Sequence, residues 1–146
     1  MSSNSKDVII GEIQNTISKM MGSSSAALMR RAGISASHKI WPELPTGKTI
    51  MEAGEIMHEG VKSLGGFGDF SIVADDNGVA KIEFKGCYFA SLTEGSGKPC
   101  GQQPICFFGF GLVEETFKRL TGVQTKVELV TRNDGTTTCF ETATPR

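Results

Sequence analysis

Little in this chain of 146 residues points to a charged partner or to a membrane. Its 15 Lys and Arg against 16 Asp and Glu leave a formal charge of −1. No basic excess invites nucleic acid, and no acidic block provides a solvating tail. The longest apolar runs, such as ICFFGFGLV at 105–113, fall far short of the roughly 20 residues that a membrane span needs. The opening MSSNSKDVIIGEIQ has no signal-peptide core, so a cytoplasmic location is expected. Cysteine is scarce, at four residues, and in that compartment these are expected to be thiols or metal ligands rather than a disulfide framework. No Ser–His–acid or Cys–His pair stands at recognisable spacing, which removes support for hydrolytic chemistry. What remains is a soluble globular composition, 38% hydrophobic, expected to form one domain over 1–146 with a core of its own.

Helical periodicity dominates the first half. Ile10, Ile13, Ile17 and Met20 recur on one face of a helix expected from Lys6 to Met21. That face is either a seam between two copies or ordinary packing within the domain. SSAALMRRAG then predicts a shorter helix ending at Gly33, and ISASHKIWPELP reads as irregular because Pro42 and Pro45 disfavour helix before them. Thr49 with Glu52 predicts a capping box at the start of a third helix. There Ile50, Ala53, Met57, Val61 and Leu64 form the core face, up to Gly65-Gly66. The string PTGKT imitates the end of a phosphate-binding loop, but Pro42 occupies the place of its first glycine and no strand precedes it, so a helix cap is the better reading. His58 is read as a boundary residue, and His38 beside Trp41 as a residue at a pocket mouth.

From Phe67 the period changes to that of strands. FGDFSIVADD and GVAKIEFKG form a hairpin through Asp76-Asn77-Gly78, where Asn and Gly tolerate positive φ. A Gly- and Pro-rich loop over 91–104 carries Cys100. A fourth helix follows, with Phe110, Val113, Phe117 and Leu120 inward and the pairs Glu114–Lys118 and Glu115–Arg119 on its wet side. Strands at 124–131 and 136–143 close the chain through RNDG. The expected fold is therefore α+β: helices over 6–65, then a four-stranded antiparallel sheet and a C-terminal helix over 67–143, with helices packed on one face.

The last third holds the chemistry. Cys106 falls just before or within the first turn of its helix, where the dipole and unsatisfied amides favour a thiolate. A two-residue turn at Asp134-Gly135 or Asn133-Asp134 puts Glu128 and Cys139 on one face of the final hairpin, whereas a three-residue loop separates them. Spacing alone leaves open whether the helix end meets that face.

These residues carry a family resemblance. Cys106 with Phe107 to Gly111, then Glu128, then Cys139-Phe140-Glu141, resemble in order and spacing the 4-vinyl reductase domain. LMRRAG, LGGFGDFSI and KGCYFA are similar to its earlier segments. This family of sensor and binding domains is related in fold to transport-particle subunits and haem-based nitric oxide sensors. The resemblance implies a hydrophobic small-molecule ligand, a homodimer through the N-terminal helices, and a separate signalling partner. It also implies zinc held by cysteines and a glutamate. Where the family often places a further ligand-type cysteine this chain has Thr131, so Cys87 and Cys100 are the positions to supply the missing sulfur. The candidate metal residues are thus Cys87, Cys100, Cys106, Glu128 and Cys139, with zinc expected and an iron–sulfur cluster as the alternative. There is no CxxC pair, and small buried thiols are the plain alternative. Binding or sensing is the expected function, ahead of a redox protein or a reductase of tetrapyrrole metabolism.

Overall fold

The computed structural model describes residues 5–92 and 101–146. The elements run α1 (Ser5–Met21), α2 (Ser24–Ile40), α3 (Ile50–Ser63), β1 (Asp69–Asp76), β2 (Val79–Lys85), α4 (Tyr88–Leu92), α5 (Pro104–Thr121), β3 (Thr125–Asn133) and β4 (Thr138–Pro145). The four strands form one antiparallel sheet in the order β1-β2-β4-β3. Helix α3 packs on β1 and α5 on β3, while α2 lies against α5 as an outer layer. This is the expected α+β architecture. None of the described helices is long and apolar enough to cross a membrane.

Period-two alternation puts Phe70, Ile72, Ala80, Ile82, Val127 and Ala143 on the inner face of the sheet. They meet Ala53, Met57 and Val61 of α3 and Phe110, Val113, Phe117 and Leu120 of α5. The capping box at Thr49 is present: its hydroxyl accepts from Glu52 N and the Glu52 carboxylate accepts from Thr49 N. The first hairpin turns through Asn77 and Gly78, both at positive φ (54° and 88°), as its sequence requires.

Gly33 does not end α2, which continues seven residues further to Ile40. A Cβ at Gly33 would stand 2.1 Å from the Phe108 carbonyl oxygen, and one at Gly111 would stand 2.0 Å from that of Arg30. These glycines serve a close crossing of α2 and α5, so Gly33 marks backbone contact rather than a stop. Ser37 and Thr116 share a hydrogen bond (2.8 Å) at the same crossing. Arg119 closes the end of α2 by donating to the Ser37 and Trp41 carbonyls (2.9 and 2.6 Å).

That crossing also overturns the wet-side pairs. Glu114 is buried and accepts from Arg30 Nε at 3.1 Å to both oxygens and from Val127 N at 2.8 Å. Glu115 pairs with His38 Nε2 at 2.5 Å instead of Arg119. The i,i+4 spacing is correct, but the packing of α2 gives these side chains other partners. His58 is a boundary residue, with Nδ1 donating to the Phe70 carbonyl (2.7 Å) and lying 3.2 Å from Asp69.

Helix α1 sits on the domain through Gly11 and Gln14, whose side-chain oxygen accepts from Ile105 N (3.4 Å). Tyr88 also donates to Asp7. The apolar stripe is turned the other way: Ile13 is 56% and Met20 80% exposed. Ile10, at 36%, and the half-buried Ile17 are more covered among the described residues.

Candidate functional site

One small apolar cavity gathers most of the chemistry. It encloses about 40 Å³ between α5 and the inner face of the sheet, walled by Phe84, Phe110, Val113 and Leu129. Cys87, Cys106, Cys139 and Glu141 all line it. They arrive from four places: the end of β2, the first turn of α5, and two adjacent inward positions of β4.

Each position has a local cause. Strand β2 stops at Lys85. Gly86 turns at φ 64° and α4 begins at Tyr88, so Cys87 sits in the bend and is half-buried. Pro104 occupies the start of α5, which places Cys106 in the first turn, with Sγ accepting from Gly101 N at 3.3 Å. On β4, Cys139 pairs with Phe84 and with Arg132, and Glu141 pairs with Ile82 and Leu129. Arg132 donates to Cys139 Sγ at 3.0 Å and to Asp134 at 2.8 Å.

Glu128 does not join them. The turn spans residues 134–137, which keeps the parity of a two-residue turn and sets Arg132 opposite Cys139. A bulge between Leu129 and Thr131 then adds one residue to β3 and reverses every side chain upstream. Glu128 therefore pairs with Thr142 on the outer face and is exposed. The expectation that Glu128 and Cys139 share a face is corrected by that single extra residue. Cys100, and most of the loop expected over 91–104, lie outside the described residues.

Sequence reasoning passed over Glu141 and Arg132. Glu141 could have been read from its spacing, since it stands two positions beyond Cys139 and so shares its face. It is 8% exposed and has no hydrogen-bond partner among the described residues. Burial, and secondarily the nearby Cys139, push its carboxyl up to about 8, so at neutral pH it is mostly the uncharged acid.

Among the described residues no three His, Cys, Asp or Glu side chains stand together as a group able to hold a metal ion. The guanidinium of Arg132 also places a cation beside the Cys139 sulfur, and Glu128 faces away. The described residues therefore do not fit a zinc or cluster site.

The cavity adjoins a second space. An open groove of about 360 Å³ between α5 and β3 is lined by Arg30, Phe107, Lys126 and Glu128, and shares Gly101, Phe110 and Leu129 with the cavity. A Cβ on Gly101 would stand 2.1 Å from Leu129 Cδ2, so the partition is one backbone segment against one side chain. Compared with known proteins, the chain matches no family model and no curated sequence.

Proposed function

We propose that this protein is a small-molecule-binding domain of the 4-vinyl reductase type, with its ligand site in the apolar cavity between α5 and the sheet. One observation carries the reading: an unpartnered buried carboxyl faces a cavity whose walls are otherwise apolar. Sites of this kind combine apolar walls with few orienting polar groups. The order of Cys106, Cys139 and Phe140 in the sequence supports the family assignment. At about 40 Å³ the cavity has room for only a few water-sized groups, so a larger guest extends through the Gly101–Leu129 partition into the groove.

The exposed stripe of α1 supports a homodimer, because Ile9, Ile13 and Met20 otherwise leave a row of large apolar side chains in water. A sensor of this type then reports to a separate protein. Light scattering should give twice the chain mass, reduced to one by Ile13→Glu.

The alternative, a redox protein or tetrapyrrole reductase, draws on three cysteines lining one cavity. Metal analysis, a visible spectrum and mass spectrometry of a solvent extract, on anaerobically purified protein, separate the readings. A colourless protein carrying an apolar guest, lost on Val113→Trp, is the expected result. Brown protein with bound iron would replace binding by electron transfer. About one zinc per chain would restore the metal site, with Cys100 as its missing donor.

A further inference from the structure

We propose that Glu141 anchors the polar head of a small uncharged ligand, an alcohol or carbonyl compound, whose apolar body passes the Gly101–Leu129 partition into the groove between α5 and β3. The inference rests on the binding reading above and adds the class of ligand and its direction. Buried polar groups in folded proteins are nearly always hydrogen-bonded, and one that is not asks for a partner. Glu141 is buried, lines the cavity, and has no such partner among the described residues. A hydroxyl or carbonyl group in the cavity supplies it.

The surrounding charges select an uncharged head. An anion would enter beside Glu141 and Cys139, where among the described residues the one cation at hand, Arg132, is already opposed by Asp134. A cation would enter only by ionising Glu141 among Phe84, Phe110, Val113 and Leu129, at the cost of a buried ion pair. In the groove Arg30 is held by Glu114 and the Val127 carbonyl, while Lys126 and Glu128 stand exposed at its rim, one charge of each sign, and leave its apolar floor without an ionic anchor. The size of the cavity sets the direction. It takes a head and a few carbons, and it shares Gly101, Phe110 and Leu129 with the groove, where Phe107 and Leu129 provide apolar surface.

Amide chemical-shift titrations at pH 6.5 with hexan-1-ol, hexane, hexanoate and hexylamine test this. Hexan-1-ol should shift amides around 139–143 and 106–113, and bind about ten-fold more tightly than the other three, the value of one buried hydrogen bond. Glu141→Gln, which keeps a donor and an acceptor, should retain the preference. Glu141→Leu should bind hexan-1-ol and hexane alike, and Leu129→Trp should weaken both about ten-fold by blocking the partition. Equal binding of hexan-1-ol and hexane by the unaltered protein would overturn the anchor, as would a preference that survives in Glu141→Leu. Tightest binding of hexylamine or hexanoate would overturn the uncharged class while leaving the cavity as a ligand site. Silence toward all four probes, with no guest in the solvent extract, would remove the binding reading itself.

Discussion

Glu114 on α5 and Glu141 on β4 are each 8% exposed, and they sit in two quite different parts of the core. Glu114 lies where α2, α5 and the edge of β3 meet, and there Arg30, the Val127 amide and, at 3.9 Å, Arg146 converge on it. Arg30 in turn covers the rings of Phe107 and Phe110 (5.5 and 5.8 Å). This junction ties two helices to an edge strand, with its charges answered. Glu141 lies one strand further in, facing the cavity, with an apolar wall and a thiol for neighbours. Equal burial thus conceals opposite roles. A buried carboxyl whose partners are supplied by the fold belongs to the fold, and one left without them points to something the fold is built to receive.

Breaking the first region should have the largest effect. Arg30→Met leaves the Glu114 carboxylate buried without its guanidinium, and removal of one partner from such a pair costs about 3–5 kcal/mol. Urea unfolding at neutral pH measures it, and a loss under 1 kcal/mol would mean that Val127 N and Arg146 suffice.

The second region predicts a pH dependence that the first does not. The Glu141 carboxyl is raised from 4.5 to about 8 in the folded chain. Between those values the folded chain keeps a proton that the unfolded chain has released, so its contribution is complete below about 4.5 and is lost as pH rises toward about 8. The slope is at most about 1.4 kcal/mol per pH unit. Glu141→Gln should flatten that part of the stability profile, and an unchanged profile would show that Glu141 is charged in the fold.

Arg132→Ala sharpens the comparison from the side of the thiol. With its guanidinium gone from Cys139 Sγ, the Cys139 thiol should react more slowly with iodoacetamide at pH 7, by about ten-fold, because an adjacent cation favours attack by sulfur. An equal rate would place the reactivity elsewhere. Glu128→Gln should do least, within about 0.5 kcal/mol in stability, because its side chain is exposed at the rim of the groove. A larger loss in urea unfolding would show that Glu128 makes a contact the fold depends on.

Local signals were sufficient where one element decides its own geometry. Thr49 and Glu52 cap α3 because the two side chains and two amides lie within one turn, and Asn77-Gly78 turns the first hairpin because both residues accept positive φ. The inward set Phe110, Val113, Phe117 and Leu120 follows from helical period alone. The second hairpin was less legible. Asn133, Asp134 and Gly135 announce a turn but not its length, and Val130, within the bulge, carries no mark that the strand gains a residue there. Glu114 was misread for a related reason: i,i+4 spacing describes a helix surface, and α2 covers that surface.

The sequence by itself therefore determined most of the elements, though not the length of α2 or the presence of α4, together with the α+β class and the strand on which the candidate site is built, because periodicity, caps and turn residues act within a few positions of one another. Tertiary structure decided which carboxyl faces the cavity. A single-residue bulge turns Glu128 outward, and the packing of α5 over β4 shuts Glu141 in beside Cys139. Those outcomes depend on register and on layers that meet from distant parts of the chain; spacing sets Glu141 on the face of Cys139 but does not record that α5 covers that face.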